Sequence, residues 1–144
     1  MRRALIAIVA IAGLSIPVIA SADGKRHIHF TSKIVGAGIS ANQSTYKVQD
    51  SQFGDGAGVQ TVNVNGSSGS DTEITYYGNA TARSKGTFTI GKPGANGIAP
   101  LTGSGHDVSG TGKAKGLKST YTYTGTYNTK TAVFNVTLTG TYTY

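Results

Sequence analysis

The sequence predicts an all-β fold, a closed antiparallel barrel of about eight strands behind an N-terminal secretory signal. Three observations point there. Apolar and polar residues alternate with a period of two through several segments; no window of a dozen residues holds a helical period; and Gly-rich turn stretches separate the alternating pieces. Short antiparallel strands of this kind favour a closed barrel over an open sheet, because closure removes exposed edges. A sandwich is the alternative.

The leader comes first in the chain. Arg2 and Arg3 precede an apolar run from Ala4 to Ile19, and Ala20-Ser21-Ala22 supplies small residues at a cleavage site. A retained membrane helix fits less well, given Gly13, Pro17 and the cleavage motif. The reading is therefore a signal peptide over 1–22, cut after Ala22, and one secreted domain over 23–144. Loss of Arg2 and Arg3 takes the 13 Lys and Arg down to 11 against 6 Asp and Glu, a net +5. Cysteine is absent, so an exported chain must hold itself together by packing and backbone hydrogen bonds alone.

The first strand is "HIHFTSKIV", with Ile28, Phe30 and Ile34 alternating against His27, His29, Thr31 and Lys33. "GAGISANQS" and "FGDGAG" read as turns, and Val62 and Val64 stay in phase in "GVQTVNVN". After the turn "NGSSGSD", "EITYYGNATAR" sets Ile74, Tyr76, Gly78, Ala80 and Ala82 on the core face against Thr75, Tyr77, Asn79, Thr81 and Arg83. Phe88 and Ile90 belong to "GTFTI", and "GKPGANG" is another turn. The last two dozen residues alternate most clearly. Tyr121, Tyr123, Gly125 and Tyr127 share one parity, as do Phe134, Val136, Leu138, Gly140, Tyr142 and Tyr144. The connection "NTKT" makes them a hairpin, and its even length keeps both apolar faces on one side, with Gly125 expected opposite Phe134.

Several stretches invite a catalytic reading and fail on geometry. "GTFTIGKP" has phosphate-loop spacing but Pro93 where Ser or Thr should hold magnesium, and no helix follows. Ser104 and His106 point to one side of an extended strand and Asp107 to the other, so that carboxylate cannot orient that imidazole. His27 and His29 share a face and would need a third ligand such as His106 to hold zinc; in their basic surroundings they read as solvated. Lys113, Lys115 and Lys118 lack the interleaved aromatics of a nucleic-acid surface. No catalytic residue, metal, cofactor or nucleic-acid partner is assigned.

At "SGTGKAKGLKSTYTYTGTY" and "FNVTLTGTYTY" the chain resembles the barrel superfamily of plant allene oxide cyclases and dirigent proteins, particularly small exported bacterial members of the cyclase-like group. "TYYGNATARSKGTFTI" is similar to that family's earlier hairpin. The resemblance spans residues 27 to 144. It implies an eight-stranded antiparallel barrel with an apolar lumen, a homo-oligomer in the form of the plant relatives' trimer, and glycines at 103, 105, 110, 112 and 116 serving as bends and turns at the rim. The plant cyclases carry a Glu on an early strand, where this chain has His27 and His29, so their catalytic residues do not transfer; nor do the dirigent Asp and Arg sites.

The functional expectation is a secreted, non-enzymatic barrel, without stable membrane insertion, that binds a small apolar or aromatic molecule, with Tyr76, Tyr121, Tyr123 and Phe134 as lumen-wall candidates. A filled core is the bland alternative. A cyclase or isomerase acting on an unsaturated lipid or phenolic would need a buried ionisable group, and Glu73 and Asp107 are the candidates. A small outer-membrane barrel is a further alternative, disfavoured because residues 40 to 72 cannot supply a lipid-facing band.

Overall fold

The structure, a computed structural model, describes Ile19–Ala20 and residues 24–144; the leader and its cleavage site lie outside the described residues, apart from the backbone of Ile19–Ala20. That pair forms β1 (Ile19–Ala20), which lies against the start of β2 (Arg26–Ser40). There follow β3 (Gln43–Asp50), β4 (Gly54–Asn65), β5 (Ser68–Tyr77), β6 (Ala80–Ile90), β7 (Ile98–Gly112), β8 (Lys118–Asn128) and β9 (Val133–Thr143). Each pairs antiparallel with the next, and β9 returns to β2 from His27↔Thr143 to Ala37↔Val133. The result is a closed eight-stranded up-and-down barrel, β2 to β9, as the alternation predicts.

Inward positions carry the core. Phe30 and Ile34 of β2, Tyr46 and Val48 of β3, Tyr121 and Tyr123 of β8, and Phe134, Val136 and Leu138 of β9 are all buried, while the intervening Thr and Lys residues are exposed. Of the four lumen candidates, Tyr121, Tyr123 and Phe134 point inward. Tyr76 does not: it is 54% exposed on the outer surface, and Tyr77 takes the inward place. The cause is a two-residue turn at Gly78-Asn79, which splits "EITYYGNATAR" into β5 and β6 and sets Tyr77 opposite Ala80. Within one strand residues 76 and 80 would share a face, but across this hairpin they cannot. The preceding turn, Gly66-Ser67, fixes the same phase by pairing Asn65 with Ser68 and Val62 with Asp71. Asp71, Glu73, Thr75 and Tyr77 are thereby turned into the barrel.

Glycine-rich stretches expected as turns are strand. Gly36 and Gly38 lie within β2, Gly56 and Gly58 within β4, and Gly103 and Gly105 in the middle of β7 rather than at its rim. A side chain at Gly36 would collide with the Phe134 ring, at Gly58 with Tyr46, at Gly103 with Tyr123 and at Gly105 with Tyr121. In each case the glycine pairs directly with that aromatic across the ladder. A narrow barrel has room for an inward ring only where the opposite position has no side chain, so glycine and aromatic are placed together.

Two other details differ from the sequence reading. Gly125 faces Val136 and Phe134 faces Tyr127, a register shift of two that leaves both apolar faces inward. The hairpin turns on Asn128, whose side-chain oxygen accepts from the Lys130 and Thr131 amides at 2.9 and 3.2 Å. In β7 the register jumps between Ser84↔Asp107 and Arg83↔Ser109, leaving Val108 as a bulge that reverses the inward parity for Gly110.

One end of the barrel is plugged. Phe53, in the β3–β4 turn, stacks on Tyr77 at 5.1 Å and meets Tyr142 edge-on at 5.4 Å; Tyr142 stacks on Phe30 at 4.0 Å. Asp50 ties this plug to the sheet by accepting hydrogen bonds from the Gln52 and Phe53 amides and the Ser32 and Tyr142 hydroxyls. Ala114 and Leu117 of the β7–β8 turn are buried at the same end.

Candidate functional site

The opposite end holds a cavity of about 150 Å³. Its rim includes Ser40, Ala41 and Val64, all exposed, and its wall is largely apolar: Ile34, Val62, Phe88, Leu101, Phe134 and Leu138, with the rings of Tyr121 and Tyr123. Alternation and closure produce this wall, since every strand from β2 to β9 contributes its inward row. Three of the four sequence-predicted residues, Tyr121, Tyr123 and Phe134, meet here; Tyr76 stands outside the barrel.

The cavity floor is polar and acidic. Glu73 borders both this cavity and a smaller one of about 40 Å³ toward the plugged end, where Ser32, Ser84, Asp107 and Ser119 also contribute. Tyr46 donates its hydroxyl toward Glu73 Oε2 at 3.1 Å and lies 2.6 Å from Thr75 Oγ1. Gln60 bridges the acids, its amide nitrogen donating to Asp71 Oδ2 at 2.9 Å and Glu73 Oε1 at 3.2 Å. Asp71 is buried, and its Oδ1 has no hydrogen-bonding donor beside it.

This arrangement holds Glu73 protonated. Burial pushes its carboxyl from 4.5 up to about 8, and the neighbouring acid Asp71 pushes the same way; the Tyr46 hydroxyl opposes them. Asp107 is also raised, chiefly by burial. Tyr46 is raised by burial and then by Glu73, so it stays a neutral donor. Charge is segregated across the sheet: Asp50, Asp71, Glu73 and Asp107 face inward, whereas every Lys and Arg among the described residues is exposed.

A raised carboxyl pKa means that the folded state binds the proton more tightly than the unfolded chain, so stability falls as pH climbs from about 4.5 to about 8. Wild-type protein should therefore melt at a lower temperature at pH 8 than at pH 5.5, and Glu73→Gln should flatten that slope. Thermal melts across this range check it; an equal slope in the variant would show that Glu73 is already ionised at the lower pH.

The other motif residues do not join the site. His106 and Ser104 are exposed and Asp107 is turned into the lumen. The outward row runs His106–Thr120–Thr141–His29, which puts His106 three strand spacings, roughly 14 Å, from His29. His27 and His29 lie beside the Thr143 and Thr141 hydroxyls. Tyr46, Gln60 and Asp71 were not singled out by the sequence. A signal for Tyr46 exists in "STYKVQD", where Ser44, Tyr46, Val48 and Asp50 alternate, but its Gly- and Asn-rich flanks read as loop. Gln60 and Asp71 carry no signal until pairing brings them together.

No protein family, curated protein or solved structure matches the chain, so the lumen itself carries the functional reading.

Proposed function

We propose that the protein is an exported binding protein that takes a small apolar or aromatic molecule into the open end of its barrel. The supporting observation is the cavity of about 150 Å³, walled by aliphatic and aromatic side chains and reaching the exposed rim at Ser40 and Ala41. An apolar cavity of this size accommodates a benzene-sized guest. The outward Thr rows of β8 and β9, from Thr120 to Thr126 and Thr137 to Thr141, favour a water-facing exterior over a lipid-facing one, and the signal-like leader favours export. The sequence resemblance to the cyclase-like group fits the same reading, since an eight-stranded barrel is what that resemblance implies.

Val62→Phe tests the cavity. Val62 is half-buried on the wall, and a ring there enters open space. The expected result is little change in stability and loss of uptake of an aromatic probe by calorimetric titration. A filled core would instead be overpacked and lose about 1–3 kcal/mol, which a thermal melt would expose.

Glu73 and Tyr46 at the floor favour a second reading, an isomerase or cyclase in which the Glu73 carboxyl moves a proton on the bound molecule. Chemical conversion of a co-purified ligand, abolished in Glu73→Gln while binding persists, would select it.

A further inference from the structure

We infer that the lumen site prefers an organic cation, a protonated amine on a small aromatic or aliphatic body, and discriminates against carboxylates. This rests on the cavity being a ligand site; what it adds is the charge of the occupant. The titratable groups around Glu73 are Asp71 and Tyr77 of its own strand, Tyr46 of β3, Asp107 of β7, Tyr121 and Tyr123 of β8 and Tyr142 of β9, and none is a base. An anionic guest would thus enter a chamber of carboxyl groups with no cation to receive it.

A cation finds the reverse. Glu73 borders the cavity, Asp71 stands behind it as a second acid, and the buried Asp71 Oδ1 is an acceptor left without a donor. The rings of Tyr46, Tyr121, Tyr123 and Phe134 add faces to which an ammonium is attracted. A bare divalent metal ion suits the site less well. Calcium takes six to eight oxygen ligands and magnesium a regular octahedron, whereas no group of three acids or histidines among the described residues is placed to hold a metal. Apolar walls closing on a single carboxyl floor fit one charged end and a hydrocarbon body.

An ammonium also takes over the role of the Glu73 proton. In the empty site that proton keeps the buried Glu73 neutral; with an amine bound, the guest supplies the positive charge and the proton leaves. The apparent affinity for an amine should accordingly rise about tenfold per pH unit below about pH 8, while a neutral analogue shows no such slope.

Isothermal titration with phenethylamine, 2-phenylethanol and phenylacetate separates the possibilities, since the three share a body and differ in charge. The expected result at pH 8 is phenethylamine at least about tenfold tighter than 2-phenylethanol, with phenylacetate weaker than both, and near-equal amine and alcohol affinities in Glu73→Gln. Asp71→Asn, which keeps the shape of the pair, should also cut the amine advantage, and it decides the matter if Glu73→Gln fails to fold. Alcohol binding as tight as amine binding in the wild type, or an undiminished amine advantage in both variants, overturns the charge preference and leaves the cavity reading standing. Binding of none of the three overturns the cavity reading, and the charge preference with it.

Discussion

Leu138→Asp should cost the barrel about 3–5 kcal/mol, enough to unfold much of the population, whereas Thr137→Asp and Thr139→Asp should each shift stability by no more than about 0.5 kcal/mol. Leu138 is 8% exposed and borders both cavities; Thr137 and Thr139 are exposed on the outer surface. An aspartate at 138 would be buried in a lumen that holds no base to pair it, so its desolvation goes uncompensated. The neighbouring Thr positions see water. Urea melts of the three variants measure the difference, and equal losses at 137, 138 and 139 would refute the assignment of faces in β9.

Gly58→Val should cost about 2–3 kcal/mol, and most of that loss should vanish in a Tyr46→Leu background. The three atoms nearest to a Cβ at Gly58 all belong to the Tyr46 side chain. Displacing the ring also breaks its hydroxyl contacts with Glu73 and Thr75, so the variant should lose site function as well as stability. A double-mutant cycle reads the coupling, expected at about 1–2 kcal/mol. Additive losses would mean that the ring and the glycine do not depend on each other.

These two experiments probe features that differ in how visible they were in the chain. The β9 faces could be read directly, because Phe134, Val136, Leu138 and Tyr142 alternate with polar residues over a whole strand and an even shift in register leaves that alternation intact. Gly58, by contrast, falls in "FGDGAG", which reads as a turn. Glycine is depleted in strands and common in loops, and local composition holds no record of the aromatic that will lie over it from the next strand. Tyr76 was misplaced for a related reason: a two-residue turn inside "TYYGNATA" reversed the phase, and hydrophobicity favoured Ile74 and Tyr76 for the core over Glu73, Thr75 and Tyr77.

What the sequence determined by itself was the class of fold. Period-two patterning, absence of helical periodicity and frequent turn residues leave antiparallel β structure as the way to bury the apolar rows, and closure as the way to hide the edges. What only the tertiary structure decided was which polar residues would be buried. Glu73 and Asp71 look like surface residues because an isolated carboxylate is costly to bury. Two tight turns nevertheless fix the phase of β5, and with it their direction, while Tyr46 and Gln60 from two other strands supply the hydrogen bonds that make burial tolerable. Those partners are 27 and 13 or fewer residues away along the chain, and they meet only because the strands between them pair in one register.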